Sequence, residues 1–159
     1  MNKSIPAGTG LAVAAASGAG SLASPRRTPG WYSRVRKPRY QPPSAVFPVV
    51  WTTLYTDIAA TSAVALDRFR AAGRHDEARR YTAALAVNLV LNGAWSWLFF
   101  RYHKLGASAL GAAALTASSA DLARRTADAD TRAGSALLPY PLWCAFATVL
   151  STHIWRLNG

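Results

Sequence analysis

Five long stretches with almost no charge are the feature that most limits how this chain can fold. They cover residues 5–24, 44–66, 81–100, 105–123 and 136–155, and only Asp57 and Asp121 interrupt them. About 20 apolar residues in a helix are enough to cross the hydrocarbon core of a bilayer. The pattern therefore predicts an all-α integral membrane protein, with one domain over residues 1–159 built as a bundle of five transmembrane helices.

The positive charge lies between these stretches. The chain has 18 Lys and Arg against 7 Asp and Glu, a formal net charge of +11. The cations cluster at residues 26–39, 68–80, 101–104 and 124–132. A basic protein of this kind binds either nucleic acid or a membrane surface. Cations confined to loops between membrane-length segments, without a recognition motif, exclude nucleic acid and indicate the lipid bilayer as the partner.

A soluble, alanine-rich helical bundle is the alternative fold. Mean hydropathy is only +0.08, and the first stretch is weakly apolar. A soluble helix, however, repeats polar residues along its outer face, and residues 81–100 contain no charged residue at all. The membrane fold is therefore favoured.

Lys and Arg divide nine to nine between the two predicted faces of the membrane, which leaves the orientation of the chain open. The alanine- and arginine-rich composition favours a bacterial cytoplasmic membrane as the location.

The connection between the first two predicted helices, residues 25–43, is long and rich in rings and cations. It places Trp31, Tyr32 and Tyr40 among six basic side chains and ends at the pair Pro42 and Pro43. Proline is tolerated in the first turn of a helix, so this pair predicts the start of the second helix. Two interpretations of the connection stay open: an aromatic belt at the membrane interface, or a lid over a flat, anionic ligand.

Helical spacing gathers aromatic and amide side chains on defined faces. Trp51 and Tyr55 are four residues apart, and a second stripe holds two amides and two rings, at Asn88, Asn92, Trp95 and Phe99. Buried amides in a membrane are costly unless they are paired, so this stripe predicts interhelical hydrogen bonds or a cavity.

Asp57 extends another polar stripe, with Thr53 and Thr61. A carboxylate at that depth is either an acid facing the cavity or a partner in an interhelical contact.

Small residues four apart, such as Ala14 with Gly18 and Ala107 with Gly111, predict close helix packing, within the chain or in a homodimer. The single cysteine, Cys144, excludes an internal disulfide and a multi-cysteine metal site, and no metal site is predicted.

A series of short motifs resembles the translocator protein family, also called tryptophan-rich sensory proteins or peripheral-type benzodiazepine receptors. The resemblance covers residues 31–158. It is carried by Trp31-Tyr32, Lys37-Pro38, Gln41-Pro42-Pro43, Val46-Phe47-Pro48, Trp51, Thr53-Leu54-Tyr55, Leu91-Asn92, Ala94-Trp95, Phe99-Phe100, Leu138-Pro139-Tyr140, Trp143, Ala145-Phe146-Ala147, Arg156 and Asn158.

The resemblance implies five transmembrane helices around a ligand cavity that the loop between the first two helices closes. It implies no obligatory cofactor and a porphyrin ligand, protoporphyrin IX or a haem-related tetrapyrrole, in transport, sequestration or stress sensing, and it implies a homodimer. Trp31 would belong to the lid. The expected ligand-binding residues, with Tyr55 added because it shares a helix face with Trp51, are Trp31, Trp51, Tyr55, Asn92, Trp95, Tyr140, Trp143 and Ala147.

Some bacterial members of that family break down bound porphyrin in light and oxygen. The resemblance would assign this chemistry to Trp51 and Trp143, the only candidate catalytic residues. No acid–base constellation accompanies them, so a conventional enzyme is not indicated.

Two departures from the family pattern concern the ligand. Arg39 and Tyr40 stand where tryptophan is frequent in the family. Thr152 replaces the tyrosine of a sterol-linked motif, so the sequence gives no support for sterol binding.

Overall fold

The computed structural model describes residues 4–23 and 30–159, and it is helical throughout these two ranges apart from turns and short connections. The bounds of the helices are α1 Ser4–Ala23, α2 Gly30–Arg34, α3 Val46–Ala71, α4 His75–Ser96, α5 Leu105–Ala129, α6 Thr131–Leu137 and α7 Pro139–Asn158. A π-helical turn, Trp97–Arg101, continues α4. The predicted lid begins at residue 25, and residues 25–29 lie outside the described residues.

The helices extend further than the predicted stretches at several ends. The cluster at residues 68–80, expected as a basic loop, is helical except at a short turn around Gly73. Gly73 has a φ of +71°, a backbone conformation that glycine adopts without steric cost. Helix α5 continues to Ala129, and the stretch expected as 136–155 divides into α6 and α7.

By length and apolar composition, three helical segments of the described chain qualify as membrane spans. They are Val46–Ala71, His75–Arg101 and Thr131–Asn158. Helix α1 contains only a shorter apolar segment, Ile5–Ala15, because glycine, serine and threonine dilute its apolar residues. Helix α5 is rich in alanine, serine and threonine and carries four charged residues near its C-terminal end. The prediction of membrane-length apolar helices is thus confirmed for three of the five stretches.

The distribution of polar and apolar side chains is inverted relative to a soluble protein. Asn88 and Asn92 are fully buried, whereas Val90 and Leu110 are more than two-thirds exposed. Exposed apolar faces of this kind suit a lipid environment, and buried polar groups need partners inside the bundle. The outer surface of the helices is therefore chemically matched to a bilayer.

Helix α5 packs along α7 through small residues. Ser108, Ala112 and Ser119 recur on one face of α5 and are almost completely buried, and Thr116 Oγ1 lies 2.9 Å from Thr148 Oγ1 of α7. Small side chains allow two helix backbones to approach closely. These three residues are not the predicted pair Ala107 and Gly111. A Cβ added at Gly111 would lie 3.6 Å from Leu98 Cδ1 of the π-helical turn, so that position packs within the same chain.

The turn between α3 and α4 is tied to the junction between α5 and α6. Arg68 Nε lies 3.2 Å from Asp130 Oδ2, and Arg74 lies 2.8 Å from Asp128. Asp130 is also the N-cap of α6, because its Oδ1 accepts a hydrogen bond from the backbone N–H of Ala133 at 3.0 Å. The backbone N–H of Ala133 and the nearby guanidinium of Arg68 hold the pKa of the Asp130 carboxyl below its usual value.

Asp130→Asn should lower the melting temperature at neutral pH, and the difference from the wild type should disappear in acid. Asparagine keeps the capping oxygen but loses the charge. Because the folded-state pKa is depressed, the charge stabilises the fold above the unfolded-state pKa of about 3.9, and this stability is lost as pH falls through the folded pKa. Thermal unfolding of both proteins across that range measures the effect. A difference that is the same at neutral and acidic pH would contradict it.

Candidate functional site

A cavity of about 970 Å³ lies in the half of the bundle nearest residues 30–45. Its walls come from the middle of α1, the N-terminal half of α3, the end of α4 with its π-helical turn, and α7, while α2 contributes Tyr32. Among the described residues, none that lines it is charged. Its volume is at the upper end of the range typical of small-molecule sites, about 300–1,000 Å³.

Aromatic rings form much of the cavity wall. Trp51 stacks on Tyr55 with ring centroids 5.6 Å apart, and it lies 6.1 Å from Trp95. On the α7 side, the Trp143 ring lies 5.4 Å from Phe146 and 5.8 Å from Phe47 of α3. Such walls offer flat apolar faces against which a planar ligand can stack.

The π-helical turn helps to build this wall. Trp95, Ser96, Phe99 and Phe100 all line the cavity, and Phe99 and Phe100 lie within the turn itself. The wider turn redirects the side chains that follow it, which is why such turns are frequent at functional sites.

A chain of hydrogen bonds supports the wall from behind. Tyr55 Oη donates to Asn92 Oδ1 at 2.7 Å, and Asn92 Nδ2 donates to Tyr140 Oη at 3.2 Å. Tyr140 Oη donates in turn to Asn88 Oδ1 at 2.9 Å, and Asn88 Nδ2 donates to Ser118 Oγ at 3.2 Å. The chain joins α3, α4, α7 and α5, so it fixes the ring of Tyr55 at the cavity surface.

Residues 30–45, called here the α2 segment, pack on the ends of α4 and α7. The Trp31 ring stacks on His103 at 3.8 Å and meets Phe99 edge-on at 6.2 Å. Asn158 accepts a hydrogen bond from the backbone N–H of Arg36 and donates one to its carbonyl, both at 2.9 Å. These contacts hold the α2 segment beside the cavity.

Two tyrosines of the α2 segment also face the cavity region. Tyr32 lines it, and burial raises the pKa of the Tyr32 phenol, against the opposing effect of a 2.8 Å hydrogen bond from Gln41 Nε2. Tyr40 lies outside the lining. Its ring packs edge-on against the lining residue Phe146, and its hydroxyl lies 3.0 Å from His153 Nδ1.

Five of the eight predicted ligand-binding residues line the cavity: Trp51, Tyr55, Trp95, Trp143 and Ala147. The other three lie outside its lining. Trp31 stacks on His103, while Asn92 and Tyr140 are buried behind Tyr55 as hydrogen-bond partners. Asp57 is only partly buried and does not line the cavity, and within the described residues its carboxylate forms no ion pair.

Several lining residues were not predicted. Helix α1 contributes Gly10, Val13 and Ala14, whose side chains carry no chemical signature. Phe146, three residues after Trp143, follows helical spacing and could have been added on that ground. Further lining residues outside the eight predicted ligand-binding residues include Phe47, Phe99, Phe100, Leu150, Ser151 and Ile154. Of these, Phe99 belongs to the predicted stripe with Asn92 and Trp95.

The chain is similar to a family of known proteins over most of its length. Residues 8–156 match the model of the TspO/MBR family. Protein CrtK of Rhodobacter capsulatus is 30% identical over 93% of this chain and 89% of its own length. The tryptophan-rich protein TspO of Archaeoglobus fulgidus is 32% identical over 94% of both chains, and the translocator protein of Sus scrofa is 30% identical over 80% of this chain and 75% of its own length.

Proposed function

The chain belongs to the TspO/MBR family of membrane proteins, and from this premise we propose that it binds a porphyrin, protoporphyrin IX or a haem-related tetrapyrrole, in the cavity between its helices. The observation that carries the proposal is a cavity of about 970 Å³ whose described lining carries no charge and includes nine aromatic rings, from α3, α4 with its π-helical turn, α7 and the α2 segment. A large planar ring system gains more binding free energy from such walls than a smaller ligand does, because it stacks on several rings and removes more apolar surface from water.

The proposed setting is a bilayer crossed by all five long helices, with the α2 segment as a lid over the cavity. Two of those helices, α1 and α5, are less apolar, but they pack against apolar neighbours and expose Leu11 and Leu110. A bacterial cytoplasmic membrane is the proposed location. The homodimer that the family resemblance implies stays a prediction, for which the exposed outer face of α5 offers a surface.

Binding in the dark is the experiment that tests this function. Purified protein in mild detergent is titrated with protoporphyrin IX, and the Soret absorbance band is followed. A saturable shift that approaches one porphyrin per chain supports the proposal. Absorbance that matches porphyrin in empty detergent micelles at every concentration would contradict it.

A second candidate function is light- and oxygen-dependent breakdown of the bound porphyrin. It is favoured by the positions of Trp51 and Trp143, which line the same cavity from α3 and α7. An excited porphyrin beside an indole can exchange an electron with it, and molecular oxygen is the terminal oxidant. Transport, sequestration or sensing requires only binding, whereas this alternative requires chemistry at the two tryptophans.

Replacing Trp51 or Trp143 with phenylalanine should separate the two candidates. Phenylalanine keeps a ring in the wall, so affinity should fall by roughly 2- to 15-fold, as expected for about 0.5–1.5 kcal/mol of lost aromatic contact. Phenyl is much harder to oxidise than indole, so light-dependent loss of the Soret band should stop if these indoles carry the reaction. Trp155→Phe is the control, because Trp155 is half exposed and packs on Gly106 outside the cavity. Equal effects at Trp155 would refute the assignment.

A further inference from the structure

Charge is distributed unequally between the two ends of the bundle. Acidic residues are absent from residues 1–56, 78–120 and 131–159. Those ranges include the α2 segment, the turn after α4 and the end of α7, which together carry a group of cations called here the cationic rim. The described members of the rim are Arg34, Arg36, Lys37, Arg39, Arg101, Lys104 and Arg156.

Contacts of neighbouring residues bring the three parts of the rim together. Asn158, two residues after Arg156, holds the backbone of Arg36 through two hydrogen bonds. Trp31 stacks on His103, which lies between Arg101 and Lys104. The rim is therefore one surface at one end of the bundle, although its members are far apart in the sequence.

The opposite end of the bundle balances most of its charge. Five of its arginines form ion pairs with Asp76, Glu77, Asp121, Asp128 or Asp130. In the rim, by contrast, no described cation has an acidic partner, and all except Lys37 are exposed. Lys37 Nζ donates to the carbonyl of Tyr32 and lies 4.3 Å from the centre of its ring. The exposed cations of the rim are thus available to an external anion.

The rim adjoins the cavity. Arg101 follows the lining residue Phe100, and Arg156 follows the lining residue Ile154 by two positions. Arg39 precedes Tyr40, whose ring contacts the lining residue Phe146. The described lining of the cavity is without charge, and exposed arginines stand one or two positions from residues that line or contact it. This arrangement has the chemical form of a site for an amphipathic anion, whose apolar body enters the cavity and whose acidic groups stay outside it.

We infer that the cationic rim binds the carboxylate groups of the cavity ligand, and that it makes the site selective for carboxylate-bearing tetrapyrroles over neutral ones. The inference rests on the proposed function, because it requires a ring system in the cavity. Arginine suits this role, since its planar guanidinium pairs with carboxylates in bidentate geometry. An unpaired arginine also has no internal acidic partner to give up when a ligand carboxylate arrives.

A pair of charge-matched triple variants tests the inference. Arg39→Gln, Arg101→Gln and Arg156→Gln together remove three charges from the rim. Arg70→Gln, Arg80→Gln and Arg132→Gln remove three from the opposite end, at exposed arginines without ion pairs among the described residues. Each protein is titrated with protoporphyrin IX and with its neutral dimethyl ester, in nonionic detergent so that no anionic lipid is present, at low and high salt.

The rim variant should bind protoporphyrin IX roughly 2- to 30-fold more weakly than the wild type, as expected for loss of one or two partly exposed ion pairs. It should bind the ester unchanged, and the opposite-end variant should match the wild type for both ligands. Raising the salt from about 0.05 to about 0.5 M should weaken only the binding of the free acid to proteins with an intact rim.

Contrary results would distinguish failure of the inference about the rim from failure of the proposal that the cavity binds porphyrin. If the wild type binds the ester and the free acid equally, or if both triple variants weaken free-acid binding equally, the rim has no such role and the cavity proposal stands. A loss of ester binding in the rim variant assigns the rim to folding instead and also overturns the inference. If the wild type binds neither ligand, the proposed function fails, and the inference fails with it.

Discussion

Replacing Gly134 with alanine should destabilise the protein by about 1–3 kcal/mol, a cost typical of overpacking a well-packed interior. Gly134 of α6 is buried against α5. A Cβ added there would lie 2.4 Å from Ala127 Cβ and 2.5 Å from Ala127 Cα. Because backbone as well as side-chain atoms block the position, one of the two helices must move. Unfolding in mixed detergent micelles, compared with the wild type, measures the cost.

Gly93→Ala provides the matched control. Gly93 lies within α4, and among the described residues no atom beyond its chain neighbours and the backbone of its own helix falls within 4 Å of an added Cβ. Alanine there should leave stability unchanged or raise it by about 0.5–1 kcal/mol, the ordinary helical preference over glycine. Two variants with equal losses of stability would show that close approach of α5 and α6 is not the cause.

Tyr140→Phe should cost about 2–4 kcal/mol, because its hydroxyl joins two buried amides. It donates to Asn88 Oδ1 and accepts from Asn92 Nδ2, and all three side chains are almost completely buried. Each buried polar group left without a partner costs about 1–3 kcal/mol. The same change should also loosen Tyr55, whose hydroxyl bonds to Asn92, so porphyrin affinity should fall even though Tyr140 is outside the cavity lining.

The stability and binding of Tyr102→Phe serve as the comparison. Tyr102 is 60% exposed, and its hydroxyl forms no hydrogen bond with the described residues. Its loss should change stability by less than about 0.5 kcal/mol, as for most surface substitutions. If Tyr140→Phe is as mild as Tyr102→Phe, the hydrogen-bonded chain behind the cavity does not support the wall.

Helix-forming segments and inward-facing stripes are largely visible in the sequence. The spacing of Asn88, Asn92, Trp95 and Phe99 places them on one face, and in the structure all four are buried. The ends of the helices were harder to predict, because charged residues can continue a helix. Asp121 pairs with both Arg124 and Arg125 along α5, so a segment that was expected as a basic loop becomes two further helical turns.

Tertiary structure decides which of the predicted residues line the cavity and which lie behind it. Tyr55 and Tyr140 both carry a ring and a hydroxyl, yet one lines the cavity and the other lies behind it. That difference follows from the relative rotation of α3, α4 and α7, which no local pattern contains. The contribution of α1 could not be predicted for a similar reason. Small residues such as Gly10 and Ala14 occur both at close helix contacts and in cavity walls, and the sequence does not distinguish the two.

The positions of the acidic residues can also be read from the sequence, although a count of Lys and Arg alone does not use them. Lys and Arg divide equally between the two faces, but all acidic residues other than Asp57 fall on one of them. In the described part of the chain, five of these six acids form ion pairs with arginine, as Asp128 does with Arg74. Position in the fold thus identifies which cations remain for a ligand.

Filling the cavity with a large side chain shows whether porphyrin occupies it. Ala147 lines the cavity on α7, whereas Ala113 is exposed on α5 and outside the lining. The measurement is the dissociation constant of protoporphyrin IX in the dark for the wild type, Ala147→Trp and Ala113→Trp, each first shown to be folded by its melting temperature. Ala147→Trp should weaken binding at least tenfold, or by about 1.4 kcal/mol, while Ala113→Trp should match the wild type. Unchanged affinity in a folded Ala147→Trp protein would contradict it.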